Sequence, residues 1–296
     1  MGRVRAGSIL AAFFALTVPL MPVQAVLVRV APKASRRFPN WYHTQVCRLM
    51  GLHLSIEGEL APGKAVLLVS NHTSWLDIPV LSAVAPVSFV AKNEVGTWPF
   101  VASLARLQRT VFVDRTRRQA AGEAAGEIME RLAAGETIVL FAEGTSSDGN
   151  RVLPFKTSLF GAVKAGARTL PDPQTASIAV VQTAAVVYTH LRGIPLGRAD
   201  RPRVAWYGDM EMQSHAWHVL KSGPLRVVIR IGLPVPLEAF ADRKELALKS
   251  EREVRQAVHR ILRGRPQDEA LEPVEPDADM RNRRLPARAA AGEKWT

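Results

Sequence analysis

Apolar residues along this chain fall into two rhythms. Short runs such as AVLLVS (65–70) and VSFVAK (87–92) are bounded by polar or turn residues, the pattern of buried strands. The runs at 110–114 (TVFVD), 137–144 (TIVLFAEG), 178–188 (IAVVQTAAVVY), 203–208 (RVAWYG) and 225–235 (LRVVIRIGLPV) read the same way. Helical periods lie between them, at 77–84, at 96–107 where Trp98 and Pro99 mark the start, and at 117–135. The last of these puts Ile128, Met129 and Leu132 on one face and has Gly135 as its stop. A further helix covers 213–221 (QSHAWHVLK), and a long one covers 242–264, where Leu246, Leu248, Val254, Val258, Ile261 and Leu262 are available for packing. Strands alternating with helices predict an α/β fold with a mostly parallel sheet flanked by helices. In such sheets ligands gather at the carboxyl ends of strands.

The N-terminus follows a different rule. Residues 8–28 (SILAAFFALTVPLMPVQAVLV) carry no charge, and as a straight helix they would span roughly 30 Å, about a bilayer core. Arg3 and Arg5 precede the run, and Arg29, Lys33, Arg36 and Arg37 follow it. The pattern admits a signal peptide ending at VQA (23–25), a transmembrane helix, or a helical pair broken at Pro19 and Pro22 that dips into one leaflet. Proline inside a helix costs about 3 kcal/mol and bends it. Cations on both flanks suit a segment whose two ends meet one anionic surface. The broken, one-sided form is therefore the expectation. Residues 36–54, basic and aromatic, suit an interfacial helix with Trp41 and Tyr42 at headgroup depth, or a surface helix packed on the domain. The expected organisation is an N-terminal membrane-associated helical segment over 1–54, an α/β domain over 55–264, and a disordered tail over 265–296, where apolar periodicity ends.

Composition narrows the partners. The chain has 296 residues, 47% of them apolar, and a net charge of +12. A basic balance suits an anionic partner. Aromatics are 6% and no nucleic-acid-binding signature is present, so anionic membrane lipid is favoured over nucleic acid. Cys47 is the single cysteine, so no intrachain disulfide forms. The chain has no G-x-S-x-G elbow and no P-loop. His215 and His218 are three apart on a helix but have no acidic or cysteine partner nearby in sequence, so they read as a polar face rather than a metal site.

The chemistry concentrates in NHTSWLD (71–77), directly after the buried run at 65–70. Asp77 lies about one helical turn beyond the loop that carries His72. A carboxylate there can hold one ring nitrogen and leave the other free as a base. Such a pair deprotonates a hydroxyl as it attacks a carbonyl carbon, and the acceptor hydroxyl is itself the nucleophile. On the same residues alone, Asn71 and Ser74 can equally be helix caps beside a polar turn histidine.

Three further blocks accompany it: FVAKNE (89–94), FVDR (112–115) and FAEGTSSDG (141–149). In order and spacing the set resembles the lysophosphatidate acyltransferase family of glycerolipid acyltransferases over about residues 65–190. The resemblance implies that His72 is the base and Asp77 its orienting partner. It implies that Glu143, Gly144 and Thr145 form an acceptor-binding block and that Arg115 helps hold the acceptor head group. It also implies acyl carrier protein or coenzyme A thioesters as co-substrates, with no metal or bound cofactor. The family pattern Phe-Pro-Glu-Gly-Thr-Arg here reads Phe141-Ala142-Glu143-Gly144-Thr145-Ser146. The missing arginine removes a cation where a phosphate is expected, and Lys156 could replace it as a point charge. The blocks from 143 onward are also similar to bacterial lyso-ornithine lipid acyltransferases. The expected activity is acyl transfer to a lysolipid hydroxyl at the cytoplasmic side of an inner membrane. Lysophosphatidate is the first acceptor and a lyso-ornithine lipid the alternative. A catalytically idle lipid-binding protein of the same fold is the competing class.

Overall fold

The computed structural model describes residues 2–113, 118–161 and 179–264. The expected tail at 265–296 lies outside the described residues. A nine-stranded sheet forms the centre: β1 (Leu52–Glu57), β2 (Ala65–Ser70), β3 (Val87–Lys92), β4 (Val111–Val113), β5 (Thr137–Phe141), β6 (Ala179–Leu191), β7 (Ile194–Pro195), β8 (Leu225–Ile231) and β9 (Val235–Pro236). The main path runs β1-β8-β6-β2-β5-β3-β4. Pairing is parallel around β2, β3 and β5, whereas β6 runs antiparallel to β7, β8 and β9. The helices are α1 (Gly2–Val30), α2 (Pro32–Met50), α3 (Asp77–Val84), α4 (Val101–Leu107), α5 (Arg118–Ala133), α6 (Met212–Ser222) and α7 (Arg243–Leu262).

Every residue of β2 is buried, because the strand is covered on both faces. Ala65, Leu67 and Val69 pack in one core with Ile128 and Leu132 of α5 and Leu246, Val254 and Val258 of α7. Val66 and Leu68 point into the opposite core, with Val80 and Leu81 of α3, Val46 and Met50 of α2, and Ala6 and Ile9 of α1. A continuous apolar run follows from burial on two faces. α7 begins where Asp242 accepts hydrogen bonds from the amides of Lys244 and Glu245 at 2.7 and 2.8 Å.

Three expectations change. First, α1 continues unbroken through Pro19 and Pro22, and the chain breaks instead at Ala31 (φ −140°, ψ 74°), before Pro32 opens α2. Both prolines lie on the exposed face. The packed face is anchored on either side of them. Thr17 Oγ1 lies 2.7 Å from the Tyr42 hydroxyl, and Gln24 Nε2 donates to the carbonyls of Ser35 and Leu107, both at 2.9 Å. Near its start the Arg5 guanidinium donates to Met50 O at 2.8 Å and to Leu220 O.

Second, residues 52–57 form the strand β1, so the expected border at 54/55 falls inside an element, and α1 and α2 share a core with the sheet. Third, 203–208 is not a strand. A 3-10 turn at Arg201–Arg203 leads into irregular chain. Val204 and Ala205 are buried there, but the backbone of Trp206 bonds to the site described below rather than to a sheet neighbour.

Candidate active site

Register decides what meets what at the end of β2. Ser70 pairs with Phe141 on one side and Ala184 on the other, both in parallel ladders. The chain therefore leaves β2 and β5 at the same level, and NHTSWLD emerges beside FAEGTSS. The two segments are stitched together by Ser147 N–H donating to His72 O at 2.8 Å. β6 runs past this level. Its Val186 exchanges two hydrogen bonds with the Asn71 side chain, at 2.8 and 3.0 Å, which fixes the loop that bears His72.

His72 Nδ1 lies 2.8 Å from Asp77 Oδ2. The histidine side chain is 17% exposed and the aspartate 0%. Asp77 is the first residue of α3, and its Oδ2 also accepts from the amides of Thr73 and Ser74 at 2.7 and 3.0 Å. Tyr188 donates its hydroxyl to Oδ1 at 2.7 Å. Burial and the neighbouring Asp77 carboxylate hold that hydroxyl protonated, well above the usual phenol range. A carboxylate only accepts, so Nδ1 carries the imidazole proton and Nε2 is left free. The ring stacks on Phe141, with centroids 4.1 Å apart and planes at 20°, which restrains its rotation.

Glu143 is 1% exposed. Its Oε1 accepts from His72 N–H and its Oε2 from Leu153 N–H, both at 2.9 Å. Burial pushes its carboxyl up to about 8, against the pull of those two amides. Its contacts are with the backbone that carries His72, behind the site. Gly144 (φ 69°) turns the chain after it, a left-handed conformation that favours glycine.

A cavity of about 740 Å³ opens beside His72, within the size range of small-molecule sites. Its walls are largely apolar and come from α1, α2, α4 and the loop before α6, with Gly144, Thr145 and Ser146 at the wall near His72. Of the expected acceptor-binding residues, Gly144 and Thr145 line this cavity. Glu143 does not, and Lys156 is exposed away from its lining. Arg115 lies outside the described residues. The expected catalytic pair is brought together, and further contributors join it: Tyr188, Phe141 and Lys92, which lines the cavity at the end of β3, lie elsewhere in the chain, and Asn71, next to His72, bridges to Val186. Lys92 belongs to the block FVAKNE. Tyr188 had no local signal, because its bond spans 111 residues.

The Asp77–His72 pair at the carboxyl end of a central strand, opening on a largely apolar cavity, has the geometry that general-base chemistry requires. A family model described as Acyltransferase matches residues 53–181. The chain is 47% identical over 269 residues to a lyso-ornithine lipid O-acyltransferase of Brucella abortus (strain 2308), covering 91% of this chain and 99% of that relative. It is 31% identical to a 1-acyl-sn-glycerol-3-phosphate acyltransferase of Neisseria gonorrhoeae, covering 71% and 77% of the two chains. In fold it is similar to the crystal structure of the 1-acyl-sn-glycerophosphate acyltransferase of Thermotoga maritima, with a TM-score of 0.60, 22% identity, and coverage of 88% and 98%. The chain belongs to the acyltransferase family and is a lysolipid acyltransferase.

Proposed function

We propose that the acceptor is a lyso-ornithine lipid, with His72 as base and Asp77 as its orienting partner. The acceptor hydroxyl gives its proton to His72 Nε2 as its oxygen attacks the carbonyl carbon of an acyl thioester. Asp77 stabilises the imidazolium that forms. The carbon–sulfur bond then breaks, and the thiolate takes the proton from His72. Lys92 is the candidate cation for the developing oxyanion. The reading needs no metal and no bound cofactor.

The observation that carries the acceptor is the charge of the cavity. Among the described residues that line it, Lys92 and Glu94 are the formally charged side chains, one of each sign. The family's arginine position holds Ser146, whose hydroxyl bonds to Trp206 O. A phosphate dianion calls for surplus positive charge, whereas an ornithine head group carries an amine and a carboxylate and matches a balanced lining. The 47% identity over 91% of the chain supports the same acceptor.

Membrane attachment through α1 completes the reading. α1 is the one helix among the described residues long and apolar enough to cross a membrane. Its buried positions Ala6, Ile9, Thr17 and Gln24 run along most of its length, so it lies against the domain while Phe14, Val18, Val23 and Val26 face outward. A helix fastened along its side suits insertion into one leaflet, with flanking arginines at anionic head groups. On this reading the site lies at the cytoplasmic face of the inner membrane and is reached by acyl carrier protein or coenzyme A thioesters.

The test offers purified protein lyso-ornithine lipid and lysophosphatidate in parallel, each with both labelled thioesters. Acylation of the ornithine lipid is expected. Turnover of lysophosphatidate alone refutes the acceptor. Undiminished turnover by His72→Ala refutes the base.

A further inference from the structure

Two indoles meet at the cavity. Trp98 follows the 3-10 turn Asn93–Thr97 after β3, and Trp206 lies in the loop before α6. Their ring centroids are 6.1 Å apart with planes at 82°, an edge-to-face pair, and both line the cavity. Trp98 is 37% exposed, so the pair is not sealed in either core.

Trp206 is held from three directions. Its N–H donates to Thr73 O at 2.9 Å, next to His72. Its carbonyl accepts from Ser146 Oγ. Its indole Nε1 donates to Met210 O at 2.8 Å. The backbone of Trp206 is thus clasped between NHTSWLD and AEGTSS. With the indole N–H already committed, the ring has its π face left to offer a ligand. Glu94, in the turn that precedes Trp98, lines the same cavity.

We propose that Trp98 and Trp206 form the head-group subsite, an aromatic corner that receives the primary ammonium of the acceptor, and that Ser146 sets its position. This rests on the acceptor reading above. A cation over an indole face is attracted by the ring quadrupole, and most strongly when water is excluded. The same faces repel a phosphate. Serine at 146 is short enough to reach the Trp206 carbonyl from its own loop. An arginine there would add a cation where an ammonium has to bind. One position thereby couples the shape of the subsite to the charge it accepts.

The test uses the full-length protein with three acceptors: lyso-ornithine lipid, the same lipid acetylated on its free amine, and lysophosphatidate. The wild type is expected to bind the acetylated lipid with a KM about tenfold higher than the amine. Trp98→Leu and Trp206→Leu should bring that ratio close to one, and Trp98→Phe and Trp206→Phe, which keep a π face, should restore most of it. Ser146→Ala should lower the ratio while Trp98 and Trp206 are intact. Equal KM for amine and acetylated lipid in the wild type overturns the aromatic corner and leaves the ornithine acceptor standing. The same holds for a ratio that survives both leucine variants. A wild type that acylates lysophosphatidate alone overturns the acceptor reading itself.

Discussion

Replacing Asp77 by asparagine separates the charge of this residue from its hydrogen bonds. Asp77 Oδ2 accepts three N–H donors, from His72 Nδ1, Thr73 and Ser74, and Oδ1 accepts the Tyr188 hydroxyl. An asparagine can keep its oxygen toward the three N–H groups and turn its amide toward Tyr188, whose oxygen can accept as well as donate. The fold and the Nδ1–H tautomer then survive, and what is lost is the full negative charge beside the imidazolium. At about 4 Å and an effective dielectric near 20, that charge interaction is worth about 4 kcal/mol. An amide dipole recovers part of it, so a fall in kcat of about 10²–10³ is expected, with little change in KM. Asp77→Ala differs in kind. It strands the amides of Thr73 and Ser74 and the Tyr188 hydroxyl in a buried site, at about 1–3 kcal/mol each. Initial rates of thiol release, with thermal unfolding of the same preparations, distinguish the two variants. A near-wild-type kcat for Asp77→Asn would refute the electrostatic role. An Asp77→Asn protein as unstable as Asp77→Ala would refute the hydrogen-bond assignment.

Three other outcomes are expected. His72→Ala should lower kcat by about 10²–10⁴ and cost about 1–3 kcal/mol of stability, since Asp77 loses one donor and Phe141 its stacking partner, while the protein still folds because the backbone bonds of residue 72 to Glu143 and Ser147 remain. Glu143 has its folded pKa raised to about 8 from 4.5, so folding favours its protonated form. Its contribution to stability is complete below about pH 4.5 and is lost as pH rises through about 8. Melting temperatures measured from pH 5 to 8 should show that decline, and Glu143→Gln should remove this component of it. The glutamine variant should also start about 1 kcal/mol lower, because one amide oxygen serves two N–H donors. Gly144→Ala should destabilise by about 1–2 kcal/mol, measured by denaturant unfolding, since φ there is 69°.

Sequence alone determined what depends on neighbours in the chain. The run AVLLVS is apolar at five of six positions because β2 is buried on both faces, and that burial is written residue by residue. His72 and Asp77 are close in sequence, so a single loop brings their side chains within 2.8 Å. The tertiary structure decided what depends on register and on which way a polar group faces. RVAWYG has the apolar content of a strand, but burial does not specify pairing, and the Trp206 backbone bonds to Thr73 and Ser146 instead. α1 holds its course through two prolines because Thr17 and Gln24 anchor it to groups elsewhere in the chain. Glu143 faces the backbone of His72 rather than the cavity because β2 and β5 end level, with Ser70 beside Phe141. Tyr188 reaches Asp77 because β6 extends beyond β2. Local spacing carries hydrophobic period and short-range hydrogen bonds, whereas contacts across the sheet arise only once strand order and register have been set by packing the whole core.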